Sequence, residues 1–403
     1  MVIDLPAKVL LSLVAAYSMA YHGLDLTPLT LLDLSASRGL STTAAGATVT
    51  CMTVAIAVSS AVCVRFVARP RRYRMARMGL LLGAVAFAAA AFGPATWMIP
   101  PSMVAGGIGI GMSIAAGSAA LATTPNPDST TSTVTFVNRV AAAGLLLVLP
   151  FVGSDLTITL GVLSLILLCA SALVRDLPDA GEDLAVQRTN ATTRVDAHLT
   201  REQFALALFV GGGVFLWCVS EDMVYAITAT VAIDRAGVAE NYVGAVLSLS
   251  MLGGILGTVL ALPVQRLLGR RASLVTSVLL GGVAKFALIT ATSPAVFIAA
   301  MSVWGTVYCC TLVYVISWAA TIDVSGRASA LVTSMYLAGF PLTPLIGGFL
   351  ADNTAPLTFA LCAAIPSLLV GALYYCAGTW HNRSLKYAPP ISDERALDDG
   401  QHL

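Results

Sequence analysis

Long apolar stretches, broken by short polar segments, fill almost the whole chain. A helix that crosses the hydrocarbon core of a membrane needs about 20 mostly apolar residues. Twelve stretches have that length and composition: 7–32, 42–64, 76–98, 101–122, 132–153, 156–174, 203–232, 241–264, 271–292, 295–319, 328–350 and 356–378. The pattern predicts an all-α membrane protein with twelve transmembrane helices, numbered here spans 1 to 12 in chain order.

One polar stretch, residues 175–202, is much longer than the other breaks and divides the spans six and six. The short connections elsewhere favour antiparallel neighbours within each group. We therefore predict a six-helix bundle over 1–174, a cytoplasmic linker over 175–202, a second six-helix bundle over 203–379 and a cytoplasmic tail over 380–403.

The composition indicates that lipid surrounds these helices. Hydrophobic residues make up 57% of the 403 residues and charged residues 11%, with a mean hydropathy of +0.85. Soluble domains carry about 25% charged residues, so this chain has more apolar surface than its own interior can hide. We expect the lipid bilayer as a partner, and the net charge of +1 gives no reason to expect nucleic acid.

The sequence offers little for an enzyme or a metal protein. The eight cysteines form no C-x-x-C pair, the four histidines are scattered, and no G-x-x-x-x-G-K-[ST] phosphate loop occurs. We expect no metal, no cofactor, no built-in ATP engine and no enzyme activity.

Basic residues set the expected orientation. All of the 22 lysines and arginines except Arg38, Arg235 and Lys285 fall on the side that would hold both termini. Because cytoplasmic loops are enriched in Lys and Arg, we expect both termini in the cytoplasm of a protein that crosses the plasma membrane many times.

The two halves of the chain repeat one another. An offset of 201 residues aligns three pairs: Asp33 with Asp234, Arg65 with Arg266, and Arg69 with Arg270. In each half, a span, a short outer loop and a second span lead to a basic inner turn. The repeat predicts two pseudo-symmetric bundles.

Several segments carry glycine, proline and arginine in a distinctive order. The basic turns read "CVRFVARPRRYR" and "ALPVQRLLGRRAS", span 4 contains "MVAGGIGIGMS", and spans 5 and 11 contain "LPFVG" and "TPLIGG". Together with the two-half layout, these segments resemble the major facilitator transporters, although Gln265 replaces the family's Asp and Met103 its Arg. The matching residues are Arg65, Arg69, Gly107, Gly109, Gly111, Pro150, Gly153, Arg266, Gly269, Arg270, Arg271, Pro344, Gly347 and Gly348.

The resemblance implies the major facilitator fold, in which two six-helix bundles rock about a substrate site near the middle of the membrane. The same segments also have a physical role that does not depend on the resemblance, because small residues let helices approach closely and prolines bend helices. Packing and membrane topology alone are the alternative explanation of these residues.

Span 1 carries a polar stripe on an otherwise apolar helix. Tyr21, His22 and Asp25 lie at helical spacing, and each ionisable group inside a membrane costs at least about 2.5–3.5 kcal/mol. His22 and Asp25, at i and i+3, are near enough to share a proton, which suits proton coupling. The alternative is a structural hydrogen-bonded pair beside Pro28.

Span 7 carries two adjacent carboxylates. Trp217, Glu221 and Tyr225 share one helix face, and Asp222 lies on the neighbouring face. Adjacent residues diverge by about 100° around a helix, so at most one carboxylate can point straight into a central cavity. We expect the two carboxylates to take part in moving protons. The alternative is that both lie near the outer water and only cap the span.

Three further residues are candidates. Arg139 in span 5 could bind an anionic group or a carboxylate of another span, or it could be an edge arginine that reaches inward. Lys285 in span 9 should point into protein and pair with Glu221 or Asp222. For Lys285 we favour a structural ion pair over a substrate contact.

Span 10 is rich in aromatic residues. Trp304 and Tyr308 share a face with Thr311 and could form the wall of a cavity for an apolar or aromatic solute. Aromatic packing and interfacial belts are the alternative.

Three functions remain open. The first is proton-coupled export (antiport) of small amphipathic organic compounds by alternating access, by a monomer whose partners are the substrate and protons. The second is proton-coupled uptake (symport) of a small organic or aromatic acid, because "YHGLD" in span 1 resembles the Gly-x-Asp of aromatic-acid symporters. The third is a polytopic protein that transports nothing. The transport hypotheses predict that His22, Asp25 and Glu221 converge on one water-accessible hollow between the halves. Side chains that point at lipid, or that are scattered with no shared void, would contradict these hypotheses.

Overall fold

A computed structural model describes residues 5–63, 65–66, 71–93, 95–125, 127–153, 155–178, 200–322 and 327–386. Within these ranges the regular structure is helical, without strands. Eleven helices are long and apolar enough to cross a membrane, and a bent pair makes a twelfth span. The protein is therefore an all-α multi-pass membrane protein.

The helices follow the predicted spans closely. Span 1 comprises Ala7–Asp25 and Thr27–Arg38, and span 11 comprises Arg327–Gly339 and Thr343–Asn353. The other spans are Thr42–Cys63, Arg72–Phe92, Ile99–Leu121, Pro127–Val152, Leu156–Leu173, Arg201–Asp234, Glu240–Leu268, Arg270–Thr290, Pro294–Ile322 and Pro356–Lys386.

Several sequence predictions fall on residues outside these ranges. Arg69 is one of them, as are residues 179–199 of the predicted linker and residues 387–403 of the predicted tail. The domain boundaries therefore remain predictions.

Span 1 is broken directly after Asp25. Its two helices meet at an angle of 45°, and Leu26 at the junction has φ −86° and ψ 4°, outside the helical region. Pro28 explains the break, because proline has no N–H to donate and its ring clashes with the carbonyl four residues earlier. A π-helical turn, Val14–Ser18, precedes the break; such turns are frequent at functional sites.

Span 4 packs closely on its neighbours through its glycines, as the small-residue pattern predicts. A Cβ on Gly107 would collide with the Met52 carbonyl of span 2, and one on Gly109 would collide with Gly79 of span 3. Close backbone approach strengthens packing where lipid supplies no hydrophobic driving force.

The two halves meet at one end of the bundle. Twelve spans return the chain to its starting side, so Ala7 and Lys386 lie at the same end, called here the terminal side, and the opposite end is the far side. The far-side parts of the spans join the halves: span 2 packs on the second helix of span 11, span 5 on span 8, and the end of span 1 on span 7.

Candidate functional site

A cavity of about 360 Å³ lies between the halves near the middle of the bundle. The N-terminal half contributes, among others, Tyr17, Tyr21, Asp25, Asn138 and Arg139. The C-terminal half contributes, among others, Asp222, Tyr225, Trp304, Tyr308 and Tyr336. The volume lies at the lower end of the range of about 300–1,000 Å³ typical of small-molecule sites.

Asp25 is the centre of a hydrogen-bonded cluster in the cavity wall. Its Oδ2 lies 3.2 Å from His22 Nδ1 and accepts a bond of 3.1 Å from Asn138 Nδ2. His22 is fully buried behind Asp25 and does not line the cavity, so it reaches the cavity only through that carboxylate. Within the described residues His22 Nε2 and Asn138 Oδ1 have no partner. The cluster can therefore hold or pass on a proton.

Arg139 reaches the middle of the bundle. Span 5 begins at Pro127, five residues earlier than the sequence predicts, so Arg139 lies about 18 Å along the helix at 1.5 Å per residue. Its Nη1 lies 3.1 Å from Met251 Sδ of span 8. The alternative of an arginine at the edge of the membrane is therefore wrong: Arg139 lines the cavity and places a cation there.

The carboxylates of span 7 point in different directions. Asp222 lines the cavity, and its Oδ2 accepts a 3.2 Å bond from the Cys218 thiol. Glu221, which we expected to face the hollow, does not line it: the side chain is buried and its Oε1 lies 2.8 Å from Lys285 Nζ. Neighbouring side chains on a helix diverge, and a buried ammonium needs a counter-ion. Glu221 therefore points to Lys285 and not into the cavity.

Lys285 has a complete set of hydrogen-bond acceptors and also lies off the cavity. Its three donors reach Ser220 Oγ at 2.7 Å, Glu221 Oε1 at 2.8 Å and Ser367 Oγ at 2.9 Å. The remaining oxygen of Glu221 accepts from the Trp304 indole N–H. The predicted structural ion pair is present, and through Trp304 it supports the cavity wall.

Aromatic rings of spans 7, 10 and 11 form one wall of the cavity. The Trp304 ring stacks on Tyr225 with centroids 5.9 Å apart, and Tyr308 lies 5.8 Å from Trp304. The hydroxyls of Tyr308 and Tyr336 are 2.9 Å apart. Trp217 does not line the cavity: it is buried behind the wall, 4.9 Å from Tyr308, because it lies one turn nearer the terminal side than Glu221 and packs under the ring.

Hydrogen bonds between the halves close the cavity on the far side. The Thr43 hydroxyl and amide donate to Asp352 Oδ2 at 2.7 and 2.6 Å, and Thr53 Oγ1 donates to the Pro341 carbonyl at 2.6 Å. Next to them, a Cβ on Gly46 would collide with the Pro344 carbonyl. The near-contact of backbones leaves no room for a solute to pass.

The cavity extends toward the terminal side. Its lining includes Thr135 of span 5 and Ile316 of span 10, which lie in the terminal-side parts of their helices and are exposed. The structure thus combines a sealed far side with a cavity that reaches toward the end carrying the termini.

The residues of the basic turns lie at the terminal side. Arg65 and Arg266 are exposed, and Gly269 has a positive φ of 79° between spans 8 and 9. Arg270 Nη1 donates to Thr321 Oγ1 at 3.2 Å, and the Arg271 guanidinium lies 3.6 Å from the Tyr375 ring centroid. These contacts connect span 9 to spans 10 and 12.

The remaining residues of the predicted motifs lie at close helix contacts: those of Pro150 and Gly348 join the halves on the far side, whereas Gly347 and Gly111 contact spans of their own halves. Pro150 packs against Gly244 of span 8, Gly347 against the Met223 carbonyl, and Gly348 against the Thr42 carbonyl. Gly111 belongs to the span 2 interface, and Gly153 ends span 5 with φ 152°. The proline and glycine pattern therefore marks the seal as well as helix bends.

Sequence reasoning missed several cavity residues. Asn138, Met251 and Tyr336 line the cavity but carry no charge, so no cost of burying a charge in the membrane marks them in the sequence. The aromatic spacing of Tyr336 and Phe340, i and i+4 beside Pro341, was the available signal in span 11. Thr311, by contrast, turns away from the cavity and donates to Ser277 Oγ at 2.9 Å.

Comparisons with known proteins show the fold. No family model matches the sequence, and no curated protein sequence matches it. The solved structure of a peptide transporter POT in complex with sulfate superposes with a TM-score of 0.71 and 12% identity over 93% of this chain and 94% of that one.

Two further transporters are similar. The nucleoside transporter NupG gives a TM-score of 0.67 and 12% identity over 93% of this chain and 99% of that one. A D-xylose–proton symporter gives 0.67 and 15% over 93% and 95%. All three are transporters, and the superpositions show that the chain has the major facilitator fold, as the sequence resemblance implies.

Proposed function

We propose that the protein is a proton-coupled secondary transporter of small amphipathic organic compounds that works by alternating access. The observation that carries this proposal is the cavity itself. It lies between two six-helix halves, holds Asp25 and Asp222 in its wall, and is sealed on one side only. A site closed from one side and reachable from the other is what alternating access requires.

The orientation that we propose places the terminal side in the cytoplasm of a cell with this protein in its plasma membrane. The basic turns with Arg65, Arg266 and Arg270 lie on that side, in agreement with the enrichment of Lys and Arg in cytoplasmic loops. In this orientation, the structure has an inward-facing cavity and a closed outer gate.

Asp25 and Asp222 are the proposed proton sites. Each carboxylate lines the cavity, and each belongs to a different half of the protein. Protonation of either one changes the charge that moves across the membrane when the protein passes between its inward-facing and outward-facing states. One elementary charge moved through the membrane potential is worth about 2.3 kcal/mol per 100 mV. His22 and Asn138 lie within hydrogen-bond distance of the Asp25 carboxylate and hold it in the cavity wall.

We favour export as the direction. In an antiport cycle, Asp25 and Asp222 take up protons while the cavity faces outward, and release them to the cytoplasm when the cargo binds from the inside. The cargo then leaves when the far side opens and protons replace it. The cavity offers two carboxylates for this exchange, while Glu221 is committed to Lys285.

A second candidate is proton-coupled uptake of a small organic acid. Arg139 favours it, because this cation faces the cavity and the described residues place no carboxylate within ion-pair distance of it. Proton and acid would then enter together from the far side.

Reconstitution into liposomes tests the proposal and the direction together. A pH gradient imposed across the membrane should drive cargo toward the acidic compartment in antiport, and away from it in symport. The protonophore control should abolish either movement. Cargo flux that is indifferent to the pH gradient would contradict proton coupling, and no flux for a broad panel of amphipathic compounds would contradict transport.

A further inference from the structure

Arg139 is the one cation among the described residues that line the cavity. A guanidinium has five N–H donors in a planar fork, and the contact found for Arg139 is with Met251 Sδ, a weak acceptor, at 3.1 Å. Most of its hydrogen-bonding capacity is therefore directed at the cavity. A carboxylate matches the fork in two parallel hydrogen bonds.

The acidic side chains nearby have other contacts. Asp25 accepts from Asn138 and lies beside His22, Asp222 accepts from Cys218, and Glu221 is paired with Lys285. No ion pair joins Arg139 to any of them within the described residues. A partly buried cation without a direct counter-ion favours an anionic ligand.

The aromatic wall offers mainly ring faces. The Trp304 N–H is taken by Glu221, the Tyr225 hydroxyl donates to the Asp25 carbonyl at 2.7 Å, and one of the hydroxyls of Tyr308 and Tyr336 donates to the other. Apart from the second hydroxyl proton of that tyrosine pair, these polar ends have protein partners, so the side chains present largely rigid apolar surfaces. Planar groups stack well against such surfaces.

We infer, on the basis of the proposed function, that the cargo class is small aromatic carboxylates. The carboxylate binds Arg139, and the ring packs against the wall of Tyr225, Trp304 and Tyr308. The cavity of about 360 Å³ suits one ring with a short side chain.

Binding to the purified full-length protein tests this inference with three probes that share one carbon skeleton: 3-phenylpropionate, its amide and 3-phenylpropylamine. At neutral pH the acid should bind at least tenfold more tightly than the amide and the amine. Arg139→Gln should remove that preference and leave the weak binding of the amide unchanged. Arg175→Gln, at an exposed arginine on the terminal side, is the matched control and should retain it.

The ligand series in the unmodified protein decides the question even if Arg139→Gln does not fold. Arg139→Lys gives a second variant, which keeps the charge, loses the fork and should show an intermediate preference. Equal or tighter binding of the amine or the amide would overturn the inference, as would the absence of binding by the acid.

Liposome flux separates this inference from the proposed function. Selective acid binding without proton-linked flux would refute transport and leave the ligand class standing. Proton-linked flux of amines or neutral compounds alone would refute the ligand class and leave transport standing.

Discussion

The Tyr225 hydroxyl donates a hydrogen bond of 2.7 Å to the backbone carbonyl of Asp25. Tyr225 belongs to the C-terminal half and Asp25 to the N-terminal half, at the residue where span 1 breaks. This bond therefore joins the halves directly beside a proposed proton site. A change at Asp25 or at the break can reach the contact between the halves without an intermediate residue.

Loss of this hydrogen bond should favour opening of the far side. Tyr225→Phe keeps the ring and removes a bond worth about 0.5–1.5 kcal/mol, which corresponds to a roughly two- to tenfold shift in population. The measurement is the labelling rate of Thr27→Cys, a cavity residue, by an impermeant maleimide added outside, in a protein without native cysteines.

Tyr242→Phe is the control for that experiment, because Tyr242 is exposed at the far-side start of span 8. Its labelling rate should equal that of the parent. An unchanged rate in Tyr225→Phe, or the same increase in both variants, would show that the cross-half bond does not hold the seal.

The seal should also be sensitive to one methyl group. Gly46→Ala places a Cβ against the Pro344 carbonyl of span 11, and overpacking of this kind costs about 1–3 kcal/mol. The same labelling assay should show at least about a fivefold faster reaction from outside. Gly212→Ala adds a methyl group where no atom lies within 4 Å, and a comparable acceleration there would argue against a steric seal at Gly46.

The Lys285–Glu221 pair should act on stability and not on proton coupling. Lys285→Met leaves a buried carboxylate without its cation, which costs about 3–5 kcal/mol, so the thermal midpoint of the purified protein should fall. In the double variant Lys285→Met/Glu221→Gln the glutamine oxygen can still accept from Trp304, and more than half of the loss should be recovered. A double variant as unstable as the single one would contradict the ion-pair explanation.

Trp304 should set ligand affinity through its orientation. Trp304→Phe keeps an aromatic ring but removes the N–H that Glu221 holds. Because an oriented aromatic contact is worth about 0.5–1.5 kcal/mol, binding of 3-phenylpropionate should weaken about two- to tenfold. Trp318→Phe, whose parent ring packs edge-on against Tyr374 away from the cavity, should bind normally; equal weakening in both would point to a general loss of packing.

The transmembrane helices and their arrangement in two groups could be predicted from the sequence, as could the break of span 1 at Leu26. Membrane helices are specified by local apolar length, and their breaks by local proline, so the bend before Pro28 and the interruption at Pro341 need no tertiary information. The pairing of Lys285 with Glu221 was also predictable, because Gly281 and Gly282 mark the lysine's face as a helix contact.

Which side chain faces the cavity was not predictable in the same way. Glu221 and Asp222 are adjacent and chemically alike, and their directions depend on the rotation of span 7 against spans 9 and 10. That rotation follows from packing across the whole bundle. The same holds for Asn138, whose amide matters only because span 5 places it 3.1 Å from Asp25.

The most direct test of the central claim is the number of protons exchanged with a weakly buffered solution when a ligand binds to the purified protein. On addition of the tightest-binding probe, proton exchange should be measurable in the unmodified protein and in the double variant Lys285→Met/Glu221→Gln, and should be abolished in the double variant Asp25→Asn/Asp222→Asn. Undiminished exchange in Asp25→Asn/Asp222→Asn, or its loss only in Lys285→Met/Glu221→Gln, would contradict the assignment of the proton sites to the cavity wall.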